Sequence, residues 1–94
     1  MSNKLDNITV IGIGRLGLAW ALVLEKAGYT VIGCDIIEEY VESLNNKSFL
    51  TIEPKINDYL NNANNFSATT NLKLAISSSD LIFVNVRTES DSDG

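Results

Sequence analysis

The chain has 94 residues, enough for one small domain whose folding buries roughly 60% of the surface that the unfolded chain exposes. Apolar residues make up 45% of it and charged residues 20%, a composition that excludes a disordered or fibrous protein. The net charge of −5 argues against nucleic acid or an anionic membrane as a partner, because both require clustered Lys and Arg, and favours a small metabolite.

Counts of cysteine and histidine exclude further classes of site. With one Cys and no His, the chain cannot form an internal disulfide, a zinc cluster or a His-based catalytic triad. Cys34 lies inside an apolar strand, which favours a small buried side chain over a reactive thiol. The apolar runs are far shorter than the ~20 residues that a bilayer requires, and residues 1–7 lack a secretory pattern. We therefore expect a cytoplasmic protein without a membrane span.

The first third of the chain predicts a strand, a helix and a second strand. The short β-branched run at residues 8–13 is typical of a parallel strand covered on both faces. Over residues 15–27, apolar and small residues recur at helical spacing on two neighbouring stripes, which predicts a helix that is nearly all buried. Gly28 ends this helix, and residues 29–35 form a second β-branched run. The three segments predict a right-handed βαβ unit.

The rest of the chain continues the alternation. Apolar residues at three- and four-residue steps over residues 36–44 predict a surface helix, and Pro54 is placed to open another. The remaining candidates are a weak strand, a short helix and a strong apolar strand, at residues 66–70, 72–77 and 81–86. Four strands alternating with three or four helices predict an α/β fold, an open parallel sheet with helices on both faces. We place this domain at residues 1–88 and an acidic tail at residues 89–94.

A glycine-rich turn separates the first strand from the first helix. It matches GxGxxG between a strand and a helix, the context in which this pattern is specific for dinucleotides. Gly12 permits the tight turn, Gly14 lets the backbone approach a pyrophosphate, and Gly17 lets the helix lie close to the sheet. The helix start would hold the diphosphate through its backbone N–H groups, with Arg15 adding a charge. The predicted phosphate-binding residues are Gly12, Ile13, Gly14, Arg15, Leu16 and Gly17. The alternative is a turn used only for packing.

An acidic residue ends the second strand. Asp35 stands 18 residues after Gly17, where a carboxylate accepts hydrogen bonds from the adenosine ribose hydroxyls. It would repel the 2′-phosphate of NADP, so the predicted cofactor is NAD. The alternative is that Asp35 merely caps the helix beginning near Ile36. The turn and the acid together predict the N-terminal half of a Rossmann-like domain with strand order 3-2-1-4.

Residues 8–44 resemble two families equally well, the UDP-glucose/GDP-mannose dehydrogenases and the regulatory nucleotide-binding domains of potassium channels and transporters. The later segments favour the dehydrogenases. Leu44-Asn45-Asn46 leading to Ile52-Glu53-Pro54 resembles their asparagine turn and the Glu-Pro start of a helix. Residues 66–72 look like their third strand, and residues 79–84 with Thr88 and residues 90–94 are similar to their fourth strand and the loop after it.

The resemblance implies particular cofactor contacts and also shows departures from the family pattern. It places Leu16, Asp35 and Ser90 on contact positions for NAD, with Thr88 close by. Tyr40 stands where the family often has a basic residue facing the adenosine ribose. Lys55, Arg87 and Glu89 depart from the usual loop residues. The family's catalytic cysteine, lysine and asparagine have no match in this chain, and Cys34 does not correspond to that cysteine.

We therefore expect the NAD-binding N-terminal portion of a nucleotide-sugar 6-dehydrogenase, an oxidoreductase that the resemblance connects with polysaccharide biosynthesis. A nucleotide sugar would be a substrate only of a full-length parent, and the 94-residue chain is expected to be inactive alone. The unprotected strand at residues 81–86 predicts self-association, as a homodimer or a soluble aggregate. The alternatives are a non-catalytic, channel-regulator-like nucleotide-binding module and a purely structural Rossmann fragment.

Overall fold

A computed structural model describes residues 7–85, which alternate between strands and helices as the sequence predicts. The elements are β1 Asn7–Ile11, α1 Arg15–Lys26, β2 Thr30–Cys34, α2 Glu38–Asn45, α3 Pro54–Asn62, β3 Phe66–Thr69, α4 Leu72–Ser77 and β4 Leu81–Val84. The predictions made for Arg87, Thr88, Glu89, Ser90 and the tail at 89–94 lie outside the described residues. None of the helices between residues 7 and 85 is long and apolar enough to cross a membrane.

The four strands form one parallel sheet in the order β3-β2-β1-β4, which confirms the predicted Rossmann-like order. In the register of this sheet, Ile11 at the end of β1 pairs with Cys34 of β2 and with Val84 of β4. The carboxyl ends of these strands therefore meet at one edge. Strand β1 stops two residues before its predicted end, because Gly12 adopts a φ of 90° and turns the chain out of the ladder.

Helices cover both faces of the sheet, as predicted. On one face, Ile8 and Val10 of β1 join the core formed with the buried side of α1, and side chains of α2 and α3 belong to the same cluster. On the other face, the hydroxyl of Thr9 donates a 2.7 Å hydrogen bond to the carbonyl oxygen of Ala75 in α4 and lies 2.9 Å from the hydroxyl of Ser79. The buried Thr9 is thus satisfied where α4 crosses the sheet.

The expectation that α1 is nearly all buried is wrong. One stripe of the helix is buried, comprising Gly17, Leu18, Ala21 and Leu22. The neighbouring stripe is not, since Leu16 is 62% exposed, Trp20 56% and Val23 48%. The reason is that α1 meets the sheet along one side, and no other part of residues 7–85 covers its second apolar stripe. Trp20 borders an open cavity of about 260 Å³ lined also by Val10, Gly17, Phe83, Val84 and Asn85.

The two edges of the sheet differ. At the β3 edge, the side-chain amide of Asn45 donates to the carbonyl oxygen of Ala68 at 2.9 Å and accepts from its N–H at 2.8 Å. This pairing occupies backbone groups that another strand could use. At the opposite edge, β4 pairs with β1 on its inner side, and no strand within residues 7–85 pairs with its outer side. Leu81, Phe83 and Val84 of β4 are exposed.

The glycine-rich turn is built on close backbone contacts. A Cβ atom on Gly12 would lie 2.3 Å from the carbonyl oxygen of Asn85, and a Cβ atom on Gly17 would lie 1.9 Å from the carbonyl oxygen of Gly12. Gly17 therefore packs against the turn itself, at the end of β1, which refines the predicted helix–sheet contact. Gly14 differs from both, since a Cβ atom there would have no neighbour within 4 Å among the described residues.

This contrast predicts opposite tolerances for two alanine substitutions in one turn. Gly17→Ala should lower the free energy of unfolding by more than about 2 kcal/mol, because a backbone carbonyl must move to admit the methyl group. Gly14→Ala should lower it by no more than about 1 kcal/mol, the order of the preference at an N-cap position. Urea denaturation followed by circular dichroism measures both values. Equal losses for the two variants would contradict the packing described for Gly17.

Candidate functional site

Three chain segments converge at the carboxyl edge of the sheet. Gly12 N–H donates to the carbonyl oxygen of Cys34 at 2.8 Å, and Asn85 N–H donates to that of Ile11 at 2.8 Å. Asp35 N–H donates to Thr69 at 3.2 Å. These bonds extend the ladder by one residue, so the glycine turn, Asp35 and Asn85 lie side by side. The edge where the strands end is the place at which open α/β sheets bind their ligands.

The N-terminus of α1 opens onto this edge. Gly14 is its N-cap, with extended backbone and no side-chain cap among the described residues. The first helical hydrogen bond runs from the N–H of Leu18 to the carbonyl oxygen of Gly14 at 2.7 Å, which leaves the preceding N–H groups without an intrahelical acceptor. The first turn contains no acidic residue, and Gly14, Arg15 and Leu16 are exposed. Unpaired N–H groups and the positive end of the helix dipole can hold an anion here.

Ile13, the residue between the first two glycines, is anchored by its side chain. It is fully buried, and its Cδ1 and Cγ2 atoms lie 2.8 and 2.9 Å from the place that a Cβ atom on Gly33 would occupy. Gly33 therefore leaves the space in β2 that Ile13 fills. The sequence predicted Ile13 as part of the phosphate loop but did not identify this anchor, because the contact joins residues twenty positions apart.

Asp35 connects the end of β2 to the glycine turn. Its Oδ2 accepts from the N–H of Ile13 and its Oδ1 from the N–H of Ile37, each at 3.3 Å. The alternative that Asp35 caps the following helix is wrong, since α2 begins after Ile37, which is its N-cap. A carboxylate has about four acceptor positions, and these two bonds leave capacity for ribose hydroxyls.

Tyr40 reaches the same turn from the first turn of α2. Its hydroxyl donates a hydrogen bond to the carbonyl oxygen of Ile13. Its ring packs edge-on against Phe49, with centroids 5.3 Å apart and planes at 77°. Burial, aided by the charge of Asp35, raises the pKa of Tyr40 to about 12, so the phenol stays protonated and remains a donor at neutral pH.

Sequence reasoning missed two contacts to the turn. It treated Tyr40 as the replacement of a basic residue, and it assigned Asn85 to the predicted strand at 81–86. The side-chain amide of Asn85 in fact lies 3.3 Å from the carbonyl oxygen of Gly12, to which it donates. An available signal was that Asn85 is a polar residue directly after an apolar run, where a strand ends.

The described residues include only some of the predicted cofactor-contact residues. Gly12, Ile13, Gly14, Arg15, Leu16, Gly17 and Asp35 lie in the site, whereas Thr88 and Ser90 fall outside residues 7–85. Cys34 is buried, as expected, and burial followed by the charge of Asp35 raises the pKa of its thiol. Within the part of the chain that the structure describes, no three Cys, Asp or Glu side chains are grouped to hold a metal ion.

The chain is similar to known dehydrogenases over almost all of its length. Residues 6–94 match the model of the "UDP-glucose/GDP-mannose dehydrogenase family, NAD binding domain". The UDP-N-acetyl-D-mannosamine dehydrogenase of Methanococcus vannielii is 38% identical over 85 residues, which cover 90% of this chain and 20% of that protein. The GDP-mannose 6-dehydrogenase of Pseudomonas aeruginosa is 30% identical over 90 residues, covering 93% and 21%.

Solved structures show the same fold. A ternary complex of GDP-mannose dehydrogenase from Pseudomonas aeruginosa superimposes with a TM-score of 0.80 at 30% identity, covering 86% of this chain and 19% of that one. A UDP-glucose dehydrogenase from Pyrobaculum islandicum gives a TM-score of 0.79 at 25% identity, covering 85% and 19%. The chain thus spans about a fifth of the length of these relatives. It belongs to the UDP-glucose/GDP-mannose dehydrogenase family, and its residues 6–94 correspond to the family's NAD-binding domain.

Proposed function

We propose that this chain binds the adenosine and pyrophosphate portion of NAD and provides this binding to an NAD-dependent nucleotide-sugar 6-dehydrogenase. The proposal rests on one observation: the open N-terminus of α1 and the carboxylate of Asp35 lie next to each other at the carboxyl edge of the sheet. The two groups offer donors for an anion and acceptors for hydroxyls, the two chemistries that the adenosine diphosphate half of NAD requires.

The pyrophosphate would lie over Gly14. The open space at this residue lets a ligand approach the backbone, and the N–H groups that precede Leu18 can donate to phosphate oxygens. Arg15 is exposed beside them and adds a positive charge. Leu16 supplies apolar surface at the same helix start. Gly12 and Gly17 contribute by letting the turn and the helix approach each other.

The ribose would donate its hydroxyls to Asp35. A carboxylate at this position repels a 2′-phosphate, which supports NAD over NADP. Tyr40 adds to this preference, because a protonated phenol offers no positive charge where the family often has a basic residue. From the family pattern we also propose that Thr88 and Ser90 contact the cofactor after β4.

The relatives support a substrate class for the parent enzyme. Their names specify UDP-N-acetyl-D-mannosamine and GDP-mannose, so we propose a UDP- or GDP-linked sugar for the parent enzyme. Bound NAD would accept the hydride from that sugar. The residues at 12–17 and Asp35 would hold and orient the adenosine end, while the cysteine, lysine and asparagine that the family uses for catalysis have no match in this chain. The 94 residues alone should therefore bind cofactor without oxidising sugar.

Calorimetric titration of the 94-residue chain tests cofactor binding. We expect NAD to bind more tightly than NADP, and Gly14→Val to reduce NAD affinity at least about tenfold, a loss of ~1.4 kcal/mol, because the added side chain occupies the pyrophosphate space. The control is Ala27→Val, which enlarges an exposed side chain at the C-cap of α1, far from the turn, and should leave affinity unchanged. Tighter binding of NADP, or an unaltered Gly14→Val variant, would contradict the proposed site.

We further propose that the chain pairs with a second copy of itself through β4. Support comes from the contrast between the edges, since Asn45 occupies the backbone of Ala68 in β3 whereas the outer side of β4 is apolar and unpaired within residues 7–85. Two β4 strands pairing across a two-fold axis would continue the sheet through both copies.

Light scattering coupled to gel filtration measures this self-association. The wild-type chain should elute as a dimer, and Val84→Lys should shift it to monomer, because a lysine on an edge strand disfavours pairing. Ser67→Lys, an exposed substitution on the opposite edge strand β3, is the control and should remain dimeric. A wild-type chain that stays monomeric at high concentration would refute the pairing.

A further inference from the structure

The peptide groups on both sides of Ile13 are held by different elements. The N–H of Ile13 donates to Asp35 at the end of β2, and its carbonyl oxygen accepts from the hydroxyl of Tyr40 in α2. The side chain between them is buried above Gly33. The middle of the glycine turn is thus fixed by three contacts before any ligand binds.

The contact from Tyr40 also determines the direction of a neighbouring donor. The carbonyl of Ile13 and the N–H of Gly14 belong to one planar peptide unit, and in a trans peptide they point in opposite directions. No peptide bond among the described residues is cis. A hydroxyl that holds the Ile13 carbonyl therefore also sets the direction of the Gly14 N–H, at the residue where the structure leaves open space.

Tyr40 is itself held firmly enough to serve this purpose. Its ring is half-buried and packs edge-on against Phe49, which restricts the hydroxyl to the neighbourhood of the turn. The ring also joins the partly buried side chains packed on the hydrophobic core. An aromatic side chain has few rotatable bonds, so holding the hydroxyl in place costs little conformational entropy.

We infer that Tyr40 is a positioning residue of the NAD site: its hydroxyl fixes the Ile13–Gly14 peptide so that the Gly14 N–H faces the pyrophosphate. This inference rests on the proposed NAD binding and adds a residue to it. Tyr40 acts through the backbone of the turn. The contacts to the cofactor itself are made by Asp35 and by the N–H groups at the start of α1. Asp35 and Tyr40 together link the ribose end of the site to its phosphate end through Ile13.

The test removes the Tyr40 hydroxyl and keeps the ring. Tyr40→Phe in the 94-residue chain should weaken ADP-ribose binding about fivefold, the effect of roughly one hydrogen bond, and leave adenosine binding unchanged because adenosine has no pyrophosphate. In the ligand-free chain, the ¹⁵N–¹H signal of Gly14 should shift, since its amide shares a peptide plane with the Ile13 carbonyl. Tyr59→Phe, which removes a hydroxyl from α3 where the ring meets Lys26, should change none of these.

The outcomes separate this inference from the proposed function. If the wild-type chain binds neither ADP-ribose nor NAD, both the proposed function and the inference are wrong. The inference alone is overturned if the wild-type chain binds ADP-ribose, Tyr40→Phe binds it with the same affinity, and the Gly14 signal of the variant does not shift. Equal losses for ADP-ribose and adenosine would overturn it as well, because they would show that the hydroxyl acts on the whole site and not on the pyrophosphate end.

Discussion

The site depends on the close approach of the first turn of α1 to the end of β1. A side chain at Gly17 would collide with the carbonyl oxygen of Gly12, and one at Gly12 would collide with that of Asn85. Glycine at both positions therefore brings a helix N-terminus to the edge where parallel strands end. This closeness matters for the electrostatics of the site. The partial positive charge of a helix start falls off within the first turn, so it acts only on a ligand held that near.

The rest of the site keeps this arrangement in register with Asp35, the acid proposed to bind the ribose. The parallel pairing of β1 with β2 sets Asp35 beside the turn, and the carboxylate reaches the N–H of Ile13. From α2, the hydroxyl of Tyr40 donates a hydrogen bond to the carbonyl oxygen of the same Ile13. A site whose proposed ribose-binding and phosphate-binding groups are both fixed through one residue loses little entropy of its own when a dinucleotide binds.

The sequence predicted the elements because these depend on local signals, and it predicted the strand order because the glycine turn and the acid after β2 are typical of a Rossmann-like domain. β-branched runs, the GxGxxG pattern and Pro54 each occupy a few consecutive residues, and each predicts its structure with little reference to the rest of the chain. Strand ends were less accurate, as with β1, which ends at Ile11 and not at the predicted Ile13.

Features that depend on tertiary contacts were not predictable. The helical spacing of Leu16, Trp20 and Val23 showed an apolar stripe but not whether another element covers it, and the structure leaves that stripe exposed within residues 7–85. The contacts of Tyr40 and Asn85 to the turn cross 27 and 73 residues of sequence. A local pattern can mark one member of such a pair, as the polar Asn85 directly after an apolar run, but not its partner, since the contact arises only when the sheet has brought distant segments to one edge.

Titrating the ¹⁵N-labelled chain with NAD while recording amide signals tests directly where the cofactor binds. We expect the signals of residues 12–17 and of Asp35 to move together and saturate at one NAD concentration, with those of the β3 strand unchanged. Movement confined to the cavity beside Trp20 and Phe83, or no movement at saturating NAD, would contradict it.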